Sequence, residues 1–436
     1  MPKNMETRFM KFLKKTIEYS FYLFIFLFPW QTKIVLRAAA TNFTEISLYL
    51  SHLLLLVILI VFFSYKLRRP GQEEKITWLW GALIGLELMI LASFFFAPDQ
   101  TLAFYHYILF LTGISLFYLL REGQAVAGYE DGLLDQVKII YSLLASLFLQ
   151  AVLGIYQFLQ QFTPVFKYLG LASHDSSSVG TAVVETASGR WLRAYGGMDH
   201  PNIFGGALAI SLILAAYLLA KKKVIRSNRE IIESLFLFIF YFVALFALFF
   251  TFSRAAWLAL VLGLLVLLLT LIIKKDYWVL GRFIVLLCFS LVMIFAVAFP
   301  YRDLVAVRVS DDTRLEQKSL QERQDYLIQA RDLIKNNWLF GVGVGNYTVA
   351  LAEQESTSRN IWAYQPVHNV FLLLWAQSGT LALIFFCFFL FLLKKDRRTI
   401  LAWTIFIVLL VLMLADHWLL SLPFGLLFLF LVLGLL

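Results

Sequence analysis

Charge is scarce in this chain: Asp, Glu, Lys and Arg make up 15% of it, against about 25% in soluble domains. Its 436 residues would suffice for two or three soluble domains, but 61% of them are hydrophobic and the mean hydropathy is +0.79. That balance excludes an ordinary soluble enzyme. Cysteine is nearly absent as well. Cys288 and Cys387 both lie inside apolar runs, so neither a disulfide framework nor a cysteine zinc site is expected. No Asp-x-Asp pair and no cluster at metal-ligand spacing occurs, and no metal or cofactor is expected. The first apolar run ends at Phe28-Pro29-Trp30 with no small-residue cleavage site after it, so a cleavable signal peptide is not expected.

Long apolar runs are what the chain has in abundance. A membrane-spanning helix needs roughly 20 such residues to cross about 30 Å of hydrocarbon. About twelve spans are expected, near 17–36, 46–65, 76–96, 101–120, 137–160, 201–220, 233–252, 255–273, 279–299, 367–393, 399–415 and 418–436. The fold class is therefore all-α, a polytopic transmembrane bundle. The formal net charge is +9, but Lys and Arg sit in short clusters between the runs and form no single patch, so a nucleic-acid partner is not expected.

These clusters set the orientation. They are Lys66/Arg68/Arg69, Lys221/Lys222/Lys223/Arg226/Arg229, Lys274/Lys275 and Lys394/Lys395/Arg397/Arg398. With twelve spans they share one side with the basic N-terminus, and the positive-inside rule makes that side cytoplasmic. Both termini are then cytoplasmic, and membrane lipids are partners. Residues 1–299 hold nine spans with an outer loop at about 161–200. Residues 300–366 form a large external loop, and 367–436 hold three spans. Within the large loop, Leu320, Leu327, Ala330 and Ile334 recur at helical spacing, so 313–336 is read as an amphipathic helix that either caps the bundle or touches substrate.

Titratable residues collect on the outer side: His52, His106, His174, His200, His368 and His417 all fall there or at outer span ends. Arg254 stands between two apolar runs with almost no loop around it. It either snorkels to headgroups or binds an anion, and a guanidinium fits phosphate oxygens in a bidentate way. Arg193 precedes Gly196-Gly197-Met198-Asp199-His200-Pro201-Asn202, where Pro201 suits the first turn of a helix capped by Asp199 or His200. Arg193 and the nearby Arg190 have no such structural reason and are candidate anion binders. His368-Asn369 opens a span, either as an interface cap or as a general base, since an ordinary histidine suits proton abstraction from a hydroxyl. Gly341–Asn346 reads as a turn into a helix starting at Asn346, because its spacing lacks the phosphate-loop pattern. Asp416-His417 either orients another site residue or makes a tight polar turn, and Asp311-Asp312 is read as solvated.

Four stretches in this order carry a resemblance: Gly196–Gly206, Ser253–Trp257, Asn337–Asn346 and His368–Gly379. Together they resemble the O-antigen ligase and O-antigen polymerase superfamily, best over about 190–380. The resemblance implies a metal-independent glycosyltransferase of the C type (GT-C-like), with an undecaprenyl-diphosphate-linked glycan as donor on the outer face of the cytoplasmic membrane. It also implies a lipid or glycan acceptor. Arg193 and Arg254 match the diphosphate-holding arginines, His368 matches the acceptor-activating histidine, and Asp416 corresponds to an acid in the final outer turn. Arg190, His200, Asn202 and Asn369 are further candidates for substrate contact. The alternatives are a polysaccharide polymerase, a protein O-oligosaccharyltransferase and, from another class, a transporter or flippase. A transporter would carry interrupted helices and charges inside spans, and Glu87 is the only central acid.

Overall fold

The computed structural model describes residues 3–68, 77–123, 132–222, 227–310, 314–354, 364–396 and 399–436. Arg69, Lys223, Arg226, Asp311, Asp312, Arg397 and Arg398, named above, lie outside these residues.

The chain is an all-α polytopic membrane protein. Among the described residues, nine helices are long and apolar enough to cross a membrane. They are α2 (Leu50–Leu67), α3 (Trp78–Ser93), α4 (Gln100–Gly123), α5 (Gln136–Gln160), α6 (Pro201–Lys221), α7 (Asn228–Phe250), α8 (Arg254–Ile273), α9 (Tyr277–Ala298) and α13 (Val370–Asp396). The other three expected spans correspond to α1 (Lys3–Leu27), α14 (Ile400–Ala415) and the pair α15 (Trp418–Ser421) and α16 (Pro423–Leu435).

Several boundaries differ from expectation. Residues 33–36 do not continue α1, because Pro29 stops it. Instead β1 (Lys33–Arg37) pairs antiparallel with β2 (Ile46–Tyr49), with Ile34 opposite Leu48. The last expected span is broken at Leu422-Pro423, where proline lacks the donor a continuous helix needs. The 161–200 segment is ordered as β3 (Phe162–Thr163), β4 (His174–Asp175), β5 (Val183–Thr186) and β6 (Gly189–Leu192). The large loop contains α10 (Arg302–Ser310), α11 (Arg314–Asn336) and α12 (Tyr347–Gln354). Helix α11 matches the expected amphipathic helix to within one residue.

Helix α6 is the axis of the bundle, buried over most of its length among α5, α7, α8, α9 and α14. Lipid drives no helices together by hydrophobicity, so close packing at small residues does that work. At Gly205 a side chain would collide with Ala256, Thr251 and Ser253, so α6 lies directly against the α7–α8 turn. Helix α16 packs on α4 in the same way, with Gly113 under Phe430.

Helix α13 is interrupted at Gly379 (φ 81°, ψ 178°), a conformation that favours glycine. The break exposes the carbonyls of Ala376 and Gln377, which accept from Val342 N (2.9 Å) and Gly343 N (3.0 Å). Trp338 O accepts from Thr380 N (2.8 Å). The glycine-rich turn is thus pinned to the broken helix through the backbone N–H groups of Val342 and Gly343. It leads into α12 at Tyr347, one residue after the expected start.

Two polar ends result. At one end Thr32 Oγ1 donates to Tyr168 O (2.7 Å), Arg37 pairs with Asp99 (2.7 Å), and Arg314 lies 3.8 Å from Glu185. This end holds the hairpins and α10–α12. At the other end Lys66 meets Glu122 (3.2 Å), Lys222 meets Glu233 (3.0 Å) and Lys138 meets Glu18 (2.9 Å). The orientation expected from the positive-inside rule, with the hairpin end outside, is open to a labelling test. Single cysteines at Ser176 and Ser319, with Cys288 and Cys387 changed to serine, should react with an impermeant maleimide applied to the outer face of intact cells. Protection of both until the cells are opened would reverse the orientation.

Candidate functional site

The hairpin end gathers residues far apart in sequence around one carboxylate. Asp416 follows α14 and is only 6% exposed. Its Oδ1 accepts from the backbone N–H of His417 at 2.7 Å, and its Oδ2 accepts from Asn202 Nδ2 at 3.0 Å. His368 Nδ1 lies 3.3 Å from Oδ1. That approach is a close polar contact, without the alignment of a good hydrogen bond. Burial alone would push the Asp416 carboxyl up. Contact with the His368 and His417 imidazoles and the Asn202 hydrogen bond outweigh burial and hold it well below the usual carboxylate range.

Asn202 continues the chain of contacts. Its Oδ1 accepts from Arg193 Nη2 at 2.8 Å, while Arg193 Nε donates to Thr251 O at 2.6 Å. Arg193 is buried, so a polar lining must hold its charge. His200 caps α6: its Nδ1 accepts from Asn202 N at 3.1 Å. Burial and the charge of Arg193 push His200 down to about 3, which keeps the ring neutral and its lone pair available for the cap. Burial likewise pushes His417 down to about 4, and its Nδ1 lies 2.7 Å from Ser421 Oγ. The His417 ring is 4.9 Å from that of His368, and Phe43 meets it edge-on at 5.1 Å. Tyr326 of α11 packs over His368 at 5.9 Å, bringing the amphipathic helix to the site.

Arg254 begins α8 directly after a turn in which Phe252 adopts φ 46°. This left-handed residue reverses the chain and turns its carbonyl outward, and its buried ring holds the strain among Phe158, Phe249 and Trp257. Arg254 Nη1 donates to Arg308 O (3.4 Å). Arg254 therefore shares the Thr251–Arg254 turn with Arg193, while Asn202 and Asp416 link Arg193 to His368.

Two candidates are placed differently. Asn369 caps α13, accepting from Leu372 N (3.0 Å) and donating to Leu414 O (3.3 Å). Arg190 lies on β6 and donates to Ser177 O (3.2 Å), with no described link to Asp416. One expectation is corrected. Sequence spacing shows no metal-ligand cluster, yet His368, Asp416 and His417 bring ligand atoms within 4.8 Å of one another. They come from two separate turns at the hairpin end, which spacing does not reveal. The Asp416 oxygens already accept from His417 N–H and Asn202 Nδ2, with His368 Nδ1 3.3 Å away, an arrangement suited to orienting side chains.

Sequence reading missed Gln150 and Gln157 of α5. Gln157 Oε1 accepts from Tyr195 N (3.0 Å) and Gly196 N (2.8 Å), and Gln150 accepts from Gly197 N. Both amides are buried inside an apolar span, seven residues apart and thus on one helix face, which was the available signal. Arg308 was missed too.

The fold and site together define a polytopic helical membrane protein with a polar, cation-rich centre at its hairpin end. Residues 237–387 match the family model described as O-antigen ligase. The match runs from α7 into α13 and takes in Arg254, Arg308 and His368. No curated protein matches the chain.

Stability should follow the buried imidazoles. Unfolded histidine takes a proton near 6.5, whereas folded His417 does so only near 4 and His200 near 3. Stability is then fullest above about pH 6.5 and declines as pH falls toward 4, with a slope of at most about 1.4 kcal/mol per pH unit per group. Thermal unfolding of the full chain in detergent should show this decline, and His417→Asn should flatten it. An unchanged slope in the variant would mean that His417 is not buried neutral.

Proposed function

We propose that this chain transfers a glycan from undecaprenyl diphosphate to a lipid or glycan acceptor at the outer face of the cytoplasmic membrane, without a metal. The observation that carries this reading is the connected line of contacts from Arg193 through Asn202 and Asp416 to His368. It links a guanidinium suited to phosphate with an imidazole suited to a hydroxyl proton.

In this reading Arg193 and Arg254 neutralise the diphosphate, which is already a good leaving group and needs charge stabilisation more than protonation. Asp416 orients His368 through Nδ1, leaving Nε2 toward the acceptor. His368 takes the acceptor hydroxyl proton, the freed oxygen bonds to the anomeric carbon, and the bond from that carbon to the phosphate oxygen breaks. The electron pair leaves with undecaprenyl diphosphate. A polymerase would run the same steps on a carrier-linked acceptor, and a protein-directed transferase on a side-chain hydroxyl. The broken α13 is filled by the protein's own loop, which favours a transferase over a transporter.

The test is transfer by purified full-length protein from an undecaprenyl-diphosphate-linked oligosaccharide. His368→Ala should slow transfer by roughly 10² to 10⁴ while leaving donor binding largely intact. Arg254→Lys keeps the charge but loses the planar fork, and should weaken donor binding. Transfer should persist in chelator. Full activity in His368→Ala, or loss in chelator reversed by magnesium or manganese, would overturn the assigned chemistry.

A further inference from the structure

A pocket at the hairpin end takes no part in the contacts described so far. It lies between the 38–45 turn that joins β1 to β2, the start of α4 and one face of α12, and it holds about 340 Å³. Small-molecule sites occupy roughly 300–1,000 Å³, so its size suits one sugar ring. Its ionisable lining is Arg37, Asp99 and Glu353. Arg37 is paired in a bidentate way with Asp99 (2.7 and 3.2 Å), and Asp99 is itself held by Leu102 N (2.9 Å) at the start of α4. The guanidinium is thereby fixed, and its remaining N–H groups have no described acceptor. Glu353 of α12 is exposed and has no described partner. We propose that this pocket binds a terminal sugar ring of the acceptor, and that it takes a neutral or amine-bearing ring over a phosphorylated or carboxylated one.

A sugar hydroxyl both donates and accepts, so it needs partners of both kinds. Arg37 offers only donors, and an ionised Glu353 only acceptors. Thr41 adds a third partner. Thr348 Oγ1 donates to Asn42 O (2.8 Å), so in its 3.2 Å contact with Thr41 Oγ1 the proton comes from Thr41, whose lone pairs stay available. Val349 and Ala352 offer the apolar face of a ring a surface to lie on. Two carboxylates against one guanidinium leave the lining with an excess of negative charge, which repels a phosphate or carboxylate and attracts an amine.

The same turn ties the pocket to the Asp416 cluster. Thr44 Oγ1 accepts from Ala40 N and Thr41 N (3.0 Å each) and donates to Thr41 O (2.7 Å), which fixes the turn. Phe43, inside it, adopts φ 66°, a left-handed conformation costly for an aromatic residue. Its ring meets His417 edge-on, and the His417 ring is 4.9 Å from that of His368. The contacts thus run from Arg193 through Asn202 and Asp416 to His368 and His417, and on through Phe43 to the pocket. Along that line the pocket and Arg193 stand at opposite ends, with the proposed base between them.

This inference rests on the transfer reading above, and the experiment separates the two. Membranes of the source bacterium lacking this chain supply the acceptor. Full-length protein and a labelled undecaprenyl-diphosphate oligosaccharide are added, and transfer is measured while the membranes are titrated at saturating donor and the donor at saturating membranes. Glu353→Gln removes the charge, and Ala352→Trp fills the pocket; should Ala352→Trp fail to fold, Glu353→Gln decides alone. The expected result is that Glu353→Gln raises the amount of membrane needed for half-maximal transfer about tenfold, the scale of one charge-assisted hydrogen bond. Ala352→Trp should raise it at least as much, and the donor dependence should stay unchanged in both. Mass spectrometry of the wild-type product should find a neutral or amine-bearing sugar among the two acceptor rings nearest the new bond. Unchanged acceptor dependence in the folded variants would overturn the inference and leave the transfer reading standing. Equal shifts in donor and acceptor dependence would make these residues merely structural and also overturn it. So would a phosphate or carboxylate on both of those rings, or an acceptor without sugar. No transfer by the wild type would remove the transfer reading and this inference with it.

Discussion

A carboxylate buried at the hairpin end of a helical bundle needs polar partners, and Asp416 finds them on three separate elements. The N–H of His417 comes from its own turn, the Asn202 amide from the start of α6, and the His368 ring from the approach to α13. An unsatisfied charge in that place would cost several kcal/mol. The packing that brings these partners together is therefore tied to the charge they satisfy. Asn202 is the hinge of the arrangement, since one amide accepts from a cation and donates to an anion. That amide lies within the first turn of α6, whose cap, His200, keeps its lone pair because burial keeps the ring neutral.

The second constraint is the left-handed Phe252. It lets α7 and α8 reverse within three residues, and it presents two successive carbonyls to arginines arriving from β6 and α10. Gly205 lets α6 lie directly against this turn, so the cationic turn and the Asp416 cluster share one helix as a common support.

Much of this was legible from residues alone. The spans, the helix at 314–336, the His200-Pro201 helix start and the turn before α12 follow from local rules of hydropathy, periodicity and capping. The strands at 33–37 and 46–49 were read as span ends, because hydrophobic β-branched residues look alike in lipid and at a strand edge. The glycine-rich turn was read correctly, but not its partner, since Gly379 gives no periodic signal that its helix is broken. For the site, single residues were visible where local structure gave no reason for them, as with Arg254. Asn369 caps α13, and a cap was one of the two roles the sequence offered for His368-Asn369. The joining of His368, Asp416 and His417 into one cluster depends on how two turns of the hairpin end fold together. Arg308 was hidden among the other charges of a long loop.

The central claim is that Asp416 acts through His368. A double-mutant cycle on transfer rate tests it most directly. Asp416→Asn should slow transfer when His368 is present and cause little further loss in a His368→Ala background. Losses that simply multiply in the double variant would show that the two residues act independently, and would contradict the account.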